Sequence, residues 1–530
     1  MEEQLKEYIN NYEQNVVDLS RETSLSYFNA SISGNPEDYR RCSELQLKLN
    51  KIYADRDAFN KLKEFKISDS IKDPILKRQL ELIYNSFAAN QFDEDILEKI
   101  IELSTKIEEK FSTFRAEVNG ARITDNQIDE LLEKSINQKE LELAWRASKN
   151  IGAEVAGDVL TLVKLRNTAA QQLGYKNYHQ MSLSLSEQSS DEIETLFDEL
   201  DDLTRGSFAI LKNEIDSFLA DKNKIRLEDL RPWHYEDKFF QQGPKIYKVD
   251  FDSFFADKNI EQITKDYFTG LGLNIDDLIS KSDLYEKPGK YQHAYCTHID
   301  KKGDVRVVCN IKPNHRWMAT MLHEFGHAAY DKYINMNLPW TLREPAHIFV
   351  TEAIAMMFGR LASSPDWLID VAGINENELQ KIQSSCHKSL RVEQLVFSRW
   401  VQVMYRFEKS MYENPEQDLN SLWWNLVEKY QLIKKPAGRN EPDWSAKIHI
   451  ALYPAYYHNY MLGELLASQL YHHLTTKVSD TLINCNRIGK FLIESYFSPG
   501  ALFNWKDLIY NVTGESLSSK YYTGQFVKTP

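Results

Sequence analysis

Apolar residues in the first third of the chain recur at helical spacing. Leu5, Ile9, Tyr12 and Val16 share one face, as do Ile96, Ile100, Leu103 and Ile107. This predicts helix after helix through residues 1–185, punctuated at Asn35-Pro36 and Asp73-Pro74. Residues 190–219 keep the period with an acidic outer face and read as a further amphipathic helix pair. The period breaks near Leu230, and aromatic residues gather at Phe239, Phe240, Phe251, Phe254 and Phe255. The clearest strand signal is Tyr291–Cys309, where β-branched and aromatic residues flank a Lys-Gly-Asp turn. A hairpin symmetric about Lys301-Lys302-Gly303-Asp304 would set Cys296 opposite Cys309, close enough for a bridge. Two small buried side chains is the plainer reading of that pair. From Asn314 the pattern is helical again to Tyr471, with loops near Leu338-Pro339 and Lys435-Pro436.

Composition narrows the class. Only 20 Gly and 15 Pro in 530 residues disfavour an all-β fold, which needs a turn about every 8–12 residues. A net charge of −14 without any Lys/Arg-rich block argues against nucleic-acid and anionic-membrane surfaces. No apolar run reaches the length of about 18 residues that a spanning helix needs. The opening MEEQLKEYINNYEQNVV is polar and acidic, unlike a secretory signal. Five cysteines, sparse and odd in number, suggest a reducing, cytoplasmic compartment. With no Ser/Gly-rich linker, residues 1–530 are expected to form a single domain. Residues 1–185 would be its N-terminal helical region and 186–530 its catalytic region, in a monomer or weak homo-oligomer.

The chemistry centres on His323-Glu324-Phe325-Gly326-His327, an HExxH pentad. On a helix, residues i and i+4 share a face, so both imidazoles can reach one metal ion. Glu324 projects about 100° around the axis, near a metal-bound water but not a ligand. Zinc suits two imidazoles and one further ligand, keeping a fourth position open for water. With 13 histidines in the chain, chance gives about 0.02–0.03 such pentads. The apolar flanks Met318, Met321, Leu322, Phe325, Ala328 and Ala329 describe a buried helix rather than a solvated one. Glu352 is a single acid inside the apolar run FVTEAIAMMF. A buried carboxylate needs a partner, so Glu352 is the candidate third ligand.

A second cluster spans Lys447-Ile-His449 through Tyr453, Tyr456, Tyr457 and Tyr460. Amide hydrolysis needs donors aimed at the developing oxyanion, which a tyrosine hydroxyl and an imidazole can supply. A lone lysine could hold a peptide's terminal carboxylate. Upstream, Tyr291-Gln292-His293-Ala294-Tyr295 reads as a strand whose edge could hold an extended peptide.

Together these residues resemble the angiotensin-converting-enzyme family of zinc peptidyl-dipeptidases. HEFGH, Leu338-Pro339, Leu342-Arg343 and Glu352-Ala353-Ile354 resemble that family's HEMGH, LPxxLR and EAI. His293-Ala294 resembles its substrate strand, Lys447-x-His449 its Lys-x-His pair, and Tyr457 with Tyr460 its Tyr-x-x-Tyr. The stretch DLSRETSLSYFNASIS resembles its first helices. The resemblance implies a mainly α, two-lobed peptidase body with a deep cleft, an N-terminal lid and a small antiparallel sheet near the site. It implies one zinc per chain on His323, His327 and Glu352, with Glu324 as base and His449 with Tyr460 at the oxyanion. It also implies short peptide substrates aligned by His293 and Ala294, their carboxylate gripped by Lys447 and Tyr457. The chain departs from the family at four places. The Tyr-x-x-Tyr pair sits one residue farther from His449 than in the animal enzymes, so Tyr456 could replace Tyr457. Asn459 stands where the animal enzymes carry a chloride-linked arginine, and Met356 where an aspartate supports a zinc histidine. Arg231, two before Trp233, falls near a carboxylate-binding amide. The thimet oligopeptidase and oligoendopeptidase family shares HEFGH and a similarly spaced glutamate, so internal cleavage is the alternative activity. A catalytically silent peptide-binding protein is the alternative from another class.

Overall fold

The computed structural model describes residues 1–247, 249–380 and 382–527. Its principal elements, in chain order, are helices α1 (Glu2–Ser33) and α2 (Pro36–Tyr53), strands β1 (Ala116–Val118) and β2 (Ala121–Ile123), helices α3 (Gln138–Gln172) and α4 (Ser190–Asn223), strands β3 (Tyr295–His298) and β4 (Val305–Val308), and helices α5 (His315–Tyr333), α6 (Ile348–Gly359), α7 (Gln383–Glu413) and α8 (His458–His473). The fold is mainly helical, with two two-stranded antiparallel sheets among the described residues. No helix among them is long and apolar enough to cross a membrane.

The chain forms two compact units, each assembled from separated stretches. One comprises Met1–Gln91, Val249–His387 and Leu462–Tyr521, and the other Phe92–Lys248, Lys388–Met461 and Tyr522–Pro530. Neither coincides with residues 1–185 or 186–530.

In the first unit, α1 buries Leu5, Ile9, Tyr12 and Val16, the face its periodicity marks. It ends at Gly34, whose φ of 65° lies in the left-handed region. A Cβ there would overlap the Gly289 carbonyl, so glycine permits α1 to end against the segment leading into β3. Helix α2 restarts at once, with the Asn35 side chain accepting the Glu37 N–H and Pro36 in the first turn.

The hairpin β3–β4 differs from expectation in register and extent. Tyr295 pairs with Val308 and Cys296 with Val307, so Cys296 does not face Cys309. The reason is the turn. Asp300 Oδ1 accepts the N–H groups of Lys302 (2.7 Å) and Asp304 (3.0 Å), which centres the loop one residue earlier. Cys309 lies beyond β4, its N–H donating to the Asp283 carbonyl (2.9 Å), and all five cysteines are free thiols. The strand also starts later, at Tyr295, leaving His293 and Ala294 outside the ladder. Their neighbours are held otherwise. Asn310 Nδ2 donates to the Tyr291 and Gln292 carbonyls, and the Tyr291 N–H donates to Ser31 O (2.8 Å). One sheet face carries Tyr295 and Val308 against Phe28, Leu25 and Ile32, and the opposite face packs on α5.

In the second unit, α4 is one helix rather than a pair. Its buried stripe, Ile193, Phe197, Leu200, Phe208, Leu211, Ile215 and Leu219, runs in phase through Gly206, where a side chain would meet nothing. A small hairpin, β1–β2, interrupts the helices expected before residue 185. Its turn is Asn119-Gly120, both with positive φ (53° and 78°), the geometry that fits a two-residue hairpin loop.

Candidate metal centre

Helix α5 begins where the Asn314 side chain accepts the Trp317 N–H. Trp317, Met318, Met321, Leu322, Phe325, Ala328 and Ala329 bury one side of it. Gly326, between the two histidines, sets the approach of α6. A Cβ there would lie 3.1 Å from Ala355 Cα and 3.2 Å from the Phe358 ring. That crossing brings Glu352 of α6 against His323 and His327.

The three side chains form a tight triangle. Nε2 of His323 and Nε2 of His327 are 3.3 Å apart, and Glu352 Oε2 is 3.7 Å and 3.8 Å from them. A tetrahedral zinc ion, about 2.0–2.2 Å from each donor, would hold its ligands about 3.3–3.6 Å apart. One side of the triangle lies within that range and the other two are about 0.1–0.2 Å wider, so small side-chain adjustments would seat such an ion. Among the described residues this is the one group of three or more His, Cys, Asp or Glu side chains so placed. Burial pushes the His323 pKa down to about 4 and that of His327 well below its ordinary value, which keeps both imidazoles in the neutral, ligating form. Nδ1 of His327 lies 2.7 Å from Thr351 Oγ1, a contact that orients the ring. Thr351 thus orients His327 from the residue before Glu352, whereas Met356 packs its sulfur towards Gly463. Spacing alone did not reveal Thr351. The signal was a β-branched hydroxyl beside an acid in an otherwise apolar helix.

Glu324 is 7% exposed. Burial, with a smaller contribution from the Glu352 carboxylate, raises its pKa to about 8, and burial raises that of Glu352 to about 7. A bound dication would reverse this for both carboxylates. His293 is exposed and Ala294 half-buried, both in this same unit.

The second unit gathers Lys447, His449, Tyr457 and Tyr460. Lys447 Nζ donates to Gln241 Oε1 (2.6 Å) and lies 5.5–5.7 Å from the ring centres of Phe239, Trp400 and Tyr457. Burial lowers its pKa to about 8. The Tyr457 hydroxyl accepts from Trp400 Nε1 of α7 (2.8 Å), and its ring is 5.1 Å from His449 and 5.3 Å from Tyr460. Tyr457 is thus the tyrosine beside Lys447 and His449. His449 Nδ1 is buried without a hydrogen-bond partner among the described residues. Gln241, absent from the sequence reading, is the amide beside Lys447. Arg231 instead donates to the carbonyls of Glu228 (2.8 Å) and Leu230 (2.7 Å). Asn459 is buried and accepts from Gln188 Nε2 (2.7 Å), while Gln188 Oε1 contacts His458 Nε2 (2.8 Å). Asn459 is therefore held in a network of amides and an imidazole. Helix α8 carries Tyr460 three residues before Gly463, where a Cβ would lie 3.2 Å from Glu352 Cβ.

Two imidazoles of an HExxH helix, a carboxylate from the next long helix and a second buried acid define a metallopeptidase centre. Comparison with known proteins agrees. Residues 1–522 match the peptidase M2 family model, described as angiotensin-converting enzyme, and the chain belongs to that family. The angiotensin-converting enzyme of Theromyzon tessulatum is 22% identical over 511 residues, covering 88% of this chain and 82% of that protein. The angiotensin-converting enzyme-like protein Ace3 of Mus musculus is 24% identical over 510 residues, covering 87% and 67%. The angiotensin-converting enzyme of Rattus norvegicus is 24% identical over 357 residues, 62% of this chain and 27% of that protein.

Proposed function

We propose that this protein hydrolyses short peptides with one zinc ion per chain, held by His323, His327 and Glu352, and releases C-terminal dipeptides. The observation that carries the reading is the triangle of donor atoms 3.3, 3.7 and 3.8 Å apart, with Glu324 in the same helix turn. When bound, zinc supplies Lewis acidity, polarising the scissile carbonyl and easing deprotonation of water. Glu324 accepts the proton of the attacking water and passes it to the departing amine. Thr351 orients the His327 ring through Nδ1. Tyr460 and His449 are assigned the developing oxyanion. The unpartnered Nδ1 of His449 supports this, because a buried ring nitrogen without a partner is one a substrate can satisfy. Lys447 and Tyr457 are assigned the terminal carboxylate, and the neighbouring Gln241 amide supports that role. His293 and Ala294 are assigned the alignment of the peptide main chain. Five free thiols support a reducing compartment.

Mass spectrometry of products from matched peptides with free and amidated C-termini tests the reading. Dipeptides released only from free acids support it, and internal cleavage of both sets would replace it with an endopeptidase. Glu324→Gln should keep zinc and lose turnover, and retained activity would remove the assigned base.

A further inference from the structure

Strand β3 pairs with β4 along one edge, and no strand pairs with its other edge among the described residues. An extended peptide can take up such an edge by main-chain hydrogen bonds. Its side chains would then alternate between the two sheet faces. One face packs on α5, the helix of His323, Glu324 and His327, and Cys296 lies on that face. The other carries Tyr295, packed with Phe28 and Leu25 of α1.

Two large rings flank Tyr295 on that second face. Tyr27 of α1 lies 5.5 Å from its ring centre and Tyr291 lies 6.2 Å away. Yet Tyr27 and Tyr291 stay 40% and 39% exposed, whereas Phe28 beside them is 3% exposed. Aromatic rings grouped in solvent beside a binding edge signal recognition of an apolar partner. They are also fixed in advance. The Tyr291 N–H donates to Ser31 O (2.8 Å), the end of α1 abuts Gly289 through Gly34, and Ser33 Oγ donates to Asp38 of α2 (2.6 Å). Such preorganisation lowers the cost of binding.

We propose that Tyr27 and Tyr291, beside Tyr295, form an aromatic subsite that receives a flat apolar side chain from the second residue before the scissile bond. This rests on the peptidase reading, which fixes the position. The residue at the cleaved bond faces α5, so its neighbour on the amino side faces the tyrosines. The carboxyl side holds only two residues in that reaction, and their carboxylate is assigned to Lys447.

Equilibrium binding of two free-acid hexapeptides, identical except for Phe or Gly at that position, to the Glu324→Gln protein separates the subsite from catalysis. The Phe peptide should bind about tenfold more tightly, the range of an aromatic pair beyond area alone. Tyr27→Ala and Tyr291→Ala combined should reduce the preference to about twofold or less without weakening the Gly peptide, while Tyr27→Phe should keep it. Equal affinities in the unsubstituted background, no binding of either peptide, or a preference that survives the double substitution would overturn the subsite. A retained Phe preference with no cleavage of either peptide by the native protein would uphold the subsite and overturn only the peptidase reading.

Discussion

Thr351 Oγ1 lies 2.7 Å from Nδ1 of His327, so the residue before Glu352 orients a second member of the triangle. Thr351→Ala should weaken zinc binding about 10–100-fold, the usual cost of losing an outer partner of a ligand histidine. Thr351→Ser should restore most of the affinity. Chelator competition measures this without reference to activity, and unchanged affinity in the alanine variant would make Thr351 a packing residue only.

Gly326 gives α5 and α6 their contact. A Cβ there would lie 3.1 Å from Ala355 Cα, a backbone atom that cannot swing aside. Gly326→Ala should cost about 1–3 kcal/mol by forcing the helices apart, despite alanine's better helix propensity. Gly157, inside α3, provides the opposite case, because a Cβ there meets nothing within 4 Å. Gly157→Ala should stabilise by about 0.5–1 kcal/mol. Denaturant unfolding of both variants checks the contrast, and equal shifts would show that the helix crossing tolerates a methyl group.

Lys447 carries a prediction with a pH sign. Burial brings its pKa down to about 8, so the free protein presents an ammonium below that pH and loses it above. KM for free-acid peptides should therefore rise as pH passes about 8, while KM for amidated peptides stays flat. Lys447→Met should raise KM for free acids at pH 7 by about tenfold or more, from loss of a charge-assisted hydrogen bond. It should also abolish the alkaline rise. Equal effects on both peptide series would remove the carboxylate role.

Proximity was legible in the sequence where one residue type had no bland explanation. Two histidines and Glu352 in apolar helical runs had to be partnered, and the structure brings them together. Lys447, His449, Tyr457 and Tyr460 likewise gather because a short stretch of chain carries them all. Contacts made across long sequence separations were not legible. Gln241 meets Lys447 over 206 positions, and no local pattern marks it. The Cys296 register failed for a different reason. A single carboxylate, Asp300, decides where the turn closes, and moving the loop by one residue moves the pairing by two. The strand was overextended because its alternation runs on through His293 and Ala294. There Asn310 and the end of α1 hold the flanking main chain instead of a ladder.

His179 ties the second unit's stability to pH. Its ring lies 5.6 Å from Tyr405 and 6.4 Å from Tyr412, and its Nε2 has no hydrogen-bond partner among the described residues. Burial, aided by the Lys409 cation, lowers its pKa to about 3 from an ordinary 6.5. The unfolded chain therefore takes up a proton at this residue below pH 6.5 that the folded chain refuses until about pH 3. Stability is fully present above 6.5 and is lost as pH falls through that window. Between pH 6.5 and 4.5 the loss from this one residue should be about 2–3 kcal/mol. His179→Phe keeps an aromatic ring against Tyr405 and Tyr412 and removes the proton site. Its unfolding free energy should fall less over the same interval, by that amount, when both proteins are titrated with denaturant at each pH. Parallel pH profiles for the two proteins would show that His179 is protonated as readily in the folded chain as in the unfolded one.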